Sequence, residues 1–446
     1  MAARGLGVAD ASLMVVGSIL GAGIFLVSGF VAESVRSPAG FFGVWIVGGL
    51  VALAGALCNG ELGALFPVGG GEYVYLREAY GAPVGFLSGW TSFWIGFPGS
   101  IATLAWGFGH TVALLAGDAR AGLPIALGAV ALLTAVDATG LEPGKWLQNV
   151  LSSAKLVVFA LLFALGILLP RGGPSHFVPF VAPERPGALA IALLPVFFAY
   201  SGWNVATYVA GEMREPQKSL PRALLYGTLA SVAVYLAVNV AYLRGLSLDE
   251  MRGEANVAHA AMARFSLTAA RLVLAPLVAV SLLSSLQATV LAGPRIYQAM
   301  ARDRLFFAVL GRVTPRSGSP AVATWTQGAV ACALLLTNTF ERLLTFTTFA
   351  ILIFSTLTVA GVVILRFRRS DAPRAFRTPG YPFVPALFVA ANLWVAWNVI
   401  ASGAREALAG LVIVAAGLPA YALFKRAELR RREPRGGSPP SPALRR

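Results

Sequence analysis

The chain has 446 residues, 57% of them hydrophobic and 12% charged, roughly half the charged share of an ordinary soluble domain. Its net charge of +15 follows alternate loops between apolar runs, which points to membrane topology and argues against nucleic-acid binding. Two cysteines within apolar runs, Cys58 and Cys332, and three scattered histidines, His110, His176 and His259, show no metal-ligand spacing, so metal and redox chemistry drop out and no cofactor is expected.

Twelve apolar runs follow one another, at 8–33, 41–66, 84–116, 123–140, 148–170, 187–211, 222–245, 271–298, 320–337, 342–366, 381–401 and 404–424. Each is near the ~20 residues that a helix rising ~1.5 Å per residue needs to cross a ~30 Å hydrocarbon core. They are continuous and too long for ~10-residue barrel strands, so an all-α membrane protein of 12 transmembrane helices is expected. The first run exceeds the roughly 7–15 apolar residues of a signal peptide and leads into further spans. Lys and Arg gather on the side that holds both ends of the chain, which predicts a multi-pass protein of the plasma (inner) membrane with both termini cytoplasmic. Residues 1–424 read as one transmembrane domain, and 425–446 as a basic, disordered Pro/Arg-rich tail that anchors the topology.

The first run carries GSILGAGIF at residues 17–25. Gly17 and Gly21 have the spacing of a helix-packing face, but the Gly21-Ala22-Gly23 cluster also weakens the helix at mid-membrane. A discontinuous helix is the alternative to packing, because unwound backbone is tolerated there where it lines a cavity. A second weak point lies in the sixth run, where Ser201, Gly202 and Asn204 interrupt an apolar stretch that already contains Pro195. Interruptions in spans one and six are what an inverted repeat of five plus five helices requires. The glycines of GGGEY at 69–73 lack the Lys-Ser/Thr ending of a phosphate loop.

In the fifth run Lys155 stands about two turns inside the hydrocarbon, where an ammonium costs at least ~2.5 kcal/mol unless it has partners. Such a residue is functional by default, with snorkelling to the interface as the alternative. The mid-portions of runs one, three, six, eight and ten carry no Asp or Glu, which favours a neutral ligand over a cationic one. No convergent nucleophile, base or metal set suggests an enzyme, and no repeated pore lining suggests a channel.

GSILGAGIF, GELGALFPVGGGEYVYL from residue 60, FFAYSGWNVATYVAGEMREPQKSLPRAL from 197 and VLAGPRIYQAMARDRLFF from 290 resemble the APC superfamily of amino acid, polyamine and organocation transporters. The sixth-run string is most similar to the L-type amino acid transporter family and its bacterial relatives. Beyond the tenth run the likeness is hydrophobicity alone. The resemblance implies two inverted five-helix repeats, about 8–170 and 187–366, with helices 1 and 6 broken and two peripheral helices at 381–424. It also implies secondary active transport of an L-amino acid by alternating access, by a permease and not an enzyme.

In such a protein, free N–H groups of Gly21, Ala22 and Gly23 can bind the substrate carboxylate. Carbonyls near Ile19, Leu20, Phe198, Ala199 and Ser201 can accept from its α-ammonium. Gly202 opens the sixth helix, Asn204 orients the substrate, and Phe198 aligns with an aromatic gate. Pro98, Gly99 and Ser100 of the third span are expected on the pocket wall. Ala22 stands where many relatives have serine, so one hydroxyl contact is missing. The family's fifth-span lysine replaces a sodium ion, which assigns Lys155 to carbonyls at Gly17 or Ser18 and to Ser284 or Ser285. Sodium coupling is then disfavoured by like-charge repulsion, which leaves exchange and proton coupling open, although the serine pair could otherwise serve sodium. Glu61 and Glu212 are expected to gate by pairing with Arg214, Arg295 or Arg302. Relatives that need a glycoprotein subunit use a loop cysteine, and none is present here, so no disulfide-linked partner is expected. A transporter of cationic amino acids or polyamines, a sodium symporter and a non-transporting nutrient sensor remain the alternatives.

Overall fold

A chain segment in hydrocarbon has to satisfy its own backbone N–H and C=O groups, and a helix does so within the segment. The computed structural model describes residues 5–168, 174–254, 257–264, 275–314, 318–337, 340–402 and 405–432. Among them nine helices are long and apolar enough to cross a membrane, and three shorter apolar helices accompany them.

Helix α1 (Val8–Ile19) is followed by α2 (Ala22–Leu26) and α3 (Ser28–Ser34), so the first run is interrupted at Leu20 and Gly21. Helix α4 (Pro38–Leu65) begins with Pro38 in its first turn and the Ser37 hydroxyl accepting from Gly40 N–H at 3.1 Å, which supplies a partner for one of the donors a helix start leaves over. A short α5 (Glu72–Tyr80) fills the connection to α6 (Ala82–Thr91), and a π-helical turn at Ser92–Gly96 joins α6 to α7 (Phe97–Ala116). Helices α8 (Gly122–Thr139) and α9 (Leu141–Leu168) follow.

The sixth run is split as well, into α10 (Pro186–Tyr200) and the single turn α11 (Val205–Tyr208). Helix α12 (Pro216–Gly245) is the long strut against which α1, α4 and α9 pack. Two short helices, α13 (Leu248–Met251) and α14 (Val257–Ala263), lead to α15 (Ala275–Ala292) and α16 (Pro294–Arg302). The last described helices are α17 (Ala321–Thr337), α18 (Phe340–Arg368), α19 (Phe383–Ala401) and α20 (Arg405–Arg432). Residues 425–432 are therefore helical, not the start of a disordered tail; residues 433–446 lie outside the described ones.

Lipid supplies no hydrophobic force between helices, so close backbone approach does the packing. On α4, a Cβ at Gly49 would press on Val232 and Tyr200, and one at Gly55 on Phe388 and Trp203. Behind this face Trp45 sits edge-on to Tyr200 and Tyr235, with ring centroids 5.9 and 5.4 Å apart. The segment before α1 pairs with the one after α11: Gly5 and Leu6 N–H donate to Glu212 O, and Arg214 N–H donates to Leu6 O at 2.9 Å.

The expected partners of Glu61 are overturned. Its buried carboxylate accepts from Arg366 at 2.7 and 2.9 Å and from Thr378 N–H at 2.7 Å, and it pairs with Arg374 at 3.2 Å. The last turn of α18 supplies Arg366 and the segment that follows it supplies Arg374 and Thr378, so the end of α4 is braced by the tenth span and its following loop and not by the arginines after the sixth and eighth runs. Breaking such a pair strands charge of the opposite sign. Glu61→Ala is predicted to cost about 3–5 kcal/mol, seen as an earlier thermal unfolding transition in detergent micelles; an unchanged transition would mean that the pairs contribute nothing.

Candidate functional site

The two interrupted helices meet at their breaks. Gly23 packs so closely on Ala199 that a Cβ there would overlap its backbone, and Gly202, at φ +102, faces Ser18 in the same way. Gly21 lies against Ser285 and Gly17 against Ser152 and Gln148. The volume freed by the missing side chains is thus filled by protein. What the glycines contribute is backbone brought to a surface.

That surface borders a cavity of about 130 Å³, roughly ten times the ~10–15 Å³ one water needs. Ile19, Gly21 and Gly23 line it from the first span, and Phe198, Ala199, Ser201, Gly202 and Asn204 from the sixth. Leu20 turns elsewhere: its carbonyl accepts from Ser281 Oγ at 3.3 Å. The backbone of Ala22 begins α2, and its side chain lies outside the described ones. Ala22 and Gly23 N–H have no preceding-turn carbonyl by position, whereas Gly21 N–H is turned to Tyr235 Oη at 3.4 Å.

Tyr235 of α12 is the residue that the sequence did not flag. Its hydroxyl reaches both Ile19 O and Ala199 O, the latter at 3.0 Å, and so ties the two breaks together through one phenol. A lone tyrosine within the apolar stretch from Ala230 to Val240 was the available signal, since a buried phenol needs a partner. Phe198 O accepts from Ser201 N–H at 2.9 Å. Several of the carbonyls expected to be free are therefore occupied on one side, and each keeps a second lone pair.

Lys155 is fully buried. Its ammonium donates to Gly17 O at 2.6 Å and to Ser285 Oγ at 2.8 Å, and Ser285 Oγ donates in turn to Gly17 O at 3.0 Å. The cation thus joins the fifth, first and eighth spans beside the break. Ser284 does not take part; its buried hydroxyl has no hydrogen-bond partner among the described residues. Glu212 approaches Arg295 at 3.4 Å.

Elsewhere the cavity wall differs from the sequence reading. Ser100 borders it, with Ser92 and Gly96 of the π-helical turn, but Gly99 is turned to Thr347. Phe388 and Asn392 of α19 also border it, so the eleventh span is not peripheral to the cavity. Glu72 lines it too and accepts from Asn204 Nδ2 at 2.9 Å. Glu72 stands in the connection between two spans, outside the mid-span positions where the sequence shows no carboxylate. Outside the spans, burial pushes its carboxyl up to about 7, a rise that the Asn204 hydrogen bond opposes.

Two interrupted helices set face to face around a polar-lipped cavity, within a body of apolar helices, are the arrangement of transporters built on discontinuous spans. Residues 6–418 match the family described as amino acid permease, and the chain belongs to that family of amino acid transporters. It is 33% identical to the serine/threonine exchanger SteT of Bacillus subtilis (strain 168) over 423 residues, 93% of this chain and 95% of that protein. It is 29% identical to the b(0,+)-type amino acid transporter 1 of Mus musculus, over 94% of this chain and 87% of that one. Against the large neutral amino acids transporter small subunit 2 of Homo sapiens the identity is 29%, over 94% and 80%.

Tyr235→Phe removes the hydroxyl that holds both breaks. Amino acid affinity is predicted to fall by roughly 5–150-fold, the equivalent of about 1–3 kcal/mol for a stranded buried polar group, in equilibrium binding to purified protein. Wild-type affinity in that variant would mean that the bridge does not shape the site.

Proposed function

We propose that the protein carries a small neutral L-amino acid across the plasma (inner) membrane by sodium-independent alternating access, working without a disulfide-linked partner. The substrate carboxylate sits on the N–H groups of Ala22 and Gly23. Its α-ammonium sits on the remaining lone pairs of Ile19, Phe198 and Ala199, with Ser201 and Gly202 at the rim. Phe198 closes over it and Asn204 orients it. A match to a serine/threonine exchanger over nearly its whole length supports a small neutral substrate and exchange. Twelve spans, two inverted five-helix repeats at 8–170 and 187–366, and cytoplasmic termini complete the reading. The excess of Lys and Arg in alternate loops and the paired breaks in the first and sixth spans support it.

The observation that carries sodium independence is the Lys155 ammonium against Gly17 O and Ser285 Oγ. A sodium ion within ~4 Å of that ammonium would meet a repulsion of about 4 kcal/mol at an effective dielectric of ~20. Lys155 then does a bound cation's work, holding the first span to the eighth as the cavity opens to either side. Glu72 on the cavity wall favours a second reading, a cationic amino acid as substrate, for which labelled lysine is the probe.

Proteoliposomes in sodium-free buffer test the reading. Labelled serine is predicted to enter when unlabelled amino acid is inside or when the outside is acidic, with no gain from added sodium. Uptake that appears only with sodium would contradict it, and binding with no flux under any gradient would mark a sensor. Lys155→Ala, which loses both hydrogen bonds of the ammonium, is predicted to lower flux by at least roughly 10–100-fold, the scale of about one charge-assisted hydrogen bond. Unchanged flux would mean that the Lys155 contacts take no part in the transport cycle.

A further inference from the structure

One carboxylate on the cavity wall has no part in head-group binding. Glu72 follows Gly70 and Gly71, at φ +119 and +52, conformations that glycine adopts readily. A Cβ at Gly71 would overlap the Tyr208 ring, so this turn is pressed against α11 and delivers Glu72 beneath the sixth-span break. The residue is 7% exposed. It accepts from Asn204 Nδ2, which also lies 3.1 Å from Tyr208 Oη.

The charged groups around it are engaged with others. On its own helix Tyr75 is pushed up by burial and further by the Glu72 charge, Tyr73 donates to Asp303, and Arg77 pairs with Asp303 and Glu78. From α18 and the residue after it, Arg366 is taken by Glu61, Arg368 by Ala79 O and Arg369 by Glu78. From α16, Arg295 faces Glu212, and Tyr297 donates to Gln327 Oε1 at 3.0 Å. Helix α6 carries no charged residue, and α11 offers Tyr208 and the Asn204 amide before it. An ionised Glu72 in a closed cavity would thus hold one neutral donor and no cation among the described residues, which is an expensive state. A zwitterionic substrate brings no net charge to offset it.

We propose that Glu72 is a proton-binding site of the transport cycle, protonated whenever the cavity closes around its amino acid. The proposal rests on the transporter reading above and names the group behind its proton-coupled form. Because burial raises this carboxyl to about 7, the proton is held below that pH and released above it. Asn204 donates to either form of the acid, so the link to the sixth-span break persists while the charge beside it changes. In exchange the proton travels with the amino acid in both directions. When the empty carrier returns without it, the same site gives symport.

The test is exchange of labelled serine in proteoliposomes at equal internal and external pH, stepped from about pH 5.5 to 8.5. Wild type is expected to fall about tenfold per pH unit above about 7, as the protonated fraction does. Glu72→Gln, fixed in the neutral form, should be flat across the range whatever its absolute rate, and Glu72→Asp should keep the slope with a shifted midpoint. Should the glutamine variant not fold, infrared titration of the wild-type carboxyl stretch, with serine bound, should show protonation of a buried acid near pH 7. A flat wild-type profile, or a glutamine variant with wild-type slope and midpoint, overturns the proposal. So does a wild type that prefers lysine to serine, reversed by Glu72→Gln, since the carboxylate would then be a substrate counter-ion. Absence of exchange at every pH would overturn the transporter reading itself, and this site with it.

Discussion

Unpaired backbone polar groups in hydrocarbon cost several kcal/mol each, and the architecture is organised around the two places where this chain leaves them. At Leu20–Gly21 and at Ser201–Asn204 the helices stop, and their loose groups are gathered by side chains from three other spans. Tyr235 serves Ile19 O and Ala199 O together, Ser281 serves Leu20 O, and Lys155 with Ser285 serves Gly17 O. The helices α9, α12 and α15 are thus the supports of the breaks. The backbone of both breaks borders the cavity, and in the function proposed above a ligand with a carboxylate and an ammonium completes it.

Two buried ionisable residues frame this arrangement in opposite ways. Lys155 is satisfied by the protein: its ammonium has two oxygen partners within 2.8 Å, one on the first span and one on the eighth. Glu72 has a single neutral donor and borders the cavity, so its state depends on what enters. Glu61, with two arginines and a backbone N–H, is satisfied in a third manner and belongs to the scaffold. The same residue types therefore read as anchor, responder and brace according to how fully their partners meet them.

The sequence carried the helices and both breaks plainly, because hydrophobic length and Gly or Ser inside an apolar run act locally. Lys155 was legible for the same reason: an ammonium in hydrocarbon is conspicuous whatever surrounds it. Partners were not legible, because they depend on which helices neighbour one another. Glu61 found Arg366 and Arg374 from a segment about 300 residues away, and of the adjacent Ser284 and Ser285 only the latter faces the lysine, a matter of ~100° of helix rotation. Tyr235 and Asn392 were hidden by resembling ordinary span residues, and Glu72 by standing in a connection that folds back under the cavity. The glycines were located correctly and explained incompletely, since close approach of Gly23 to Ala199 and Gly202 to Ser18 shapes the breaks as much as freed backbone does.

The central claim is that the paired breaks hold an amino acid by its head group with no metal ion beside it. An electron cryomicroscopy structure in lipid nanodiscs with saturating L-serine, in buffer containing sodium, tests it most directly. The account predicts the serine carboxylate within hydrogen-bond distance of Ala22 and Gly23 N–H, its ammonium against the carbonyls ending α1 and α10, and the Lys155 ammonium still on Gly17 O. Serine bound away from both breaks, or a cation density displacing Lys155 from Gly17, would contradict it.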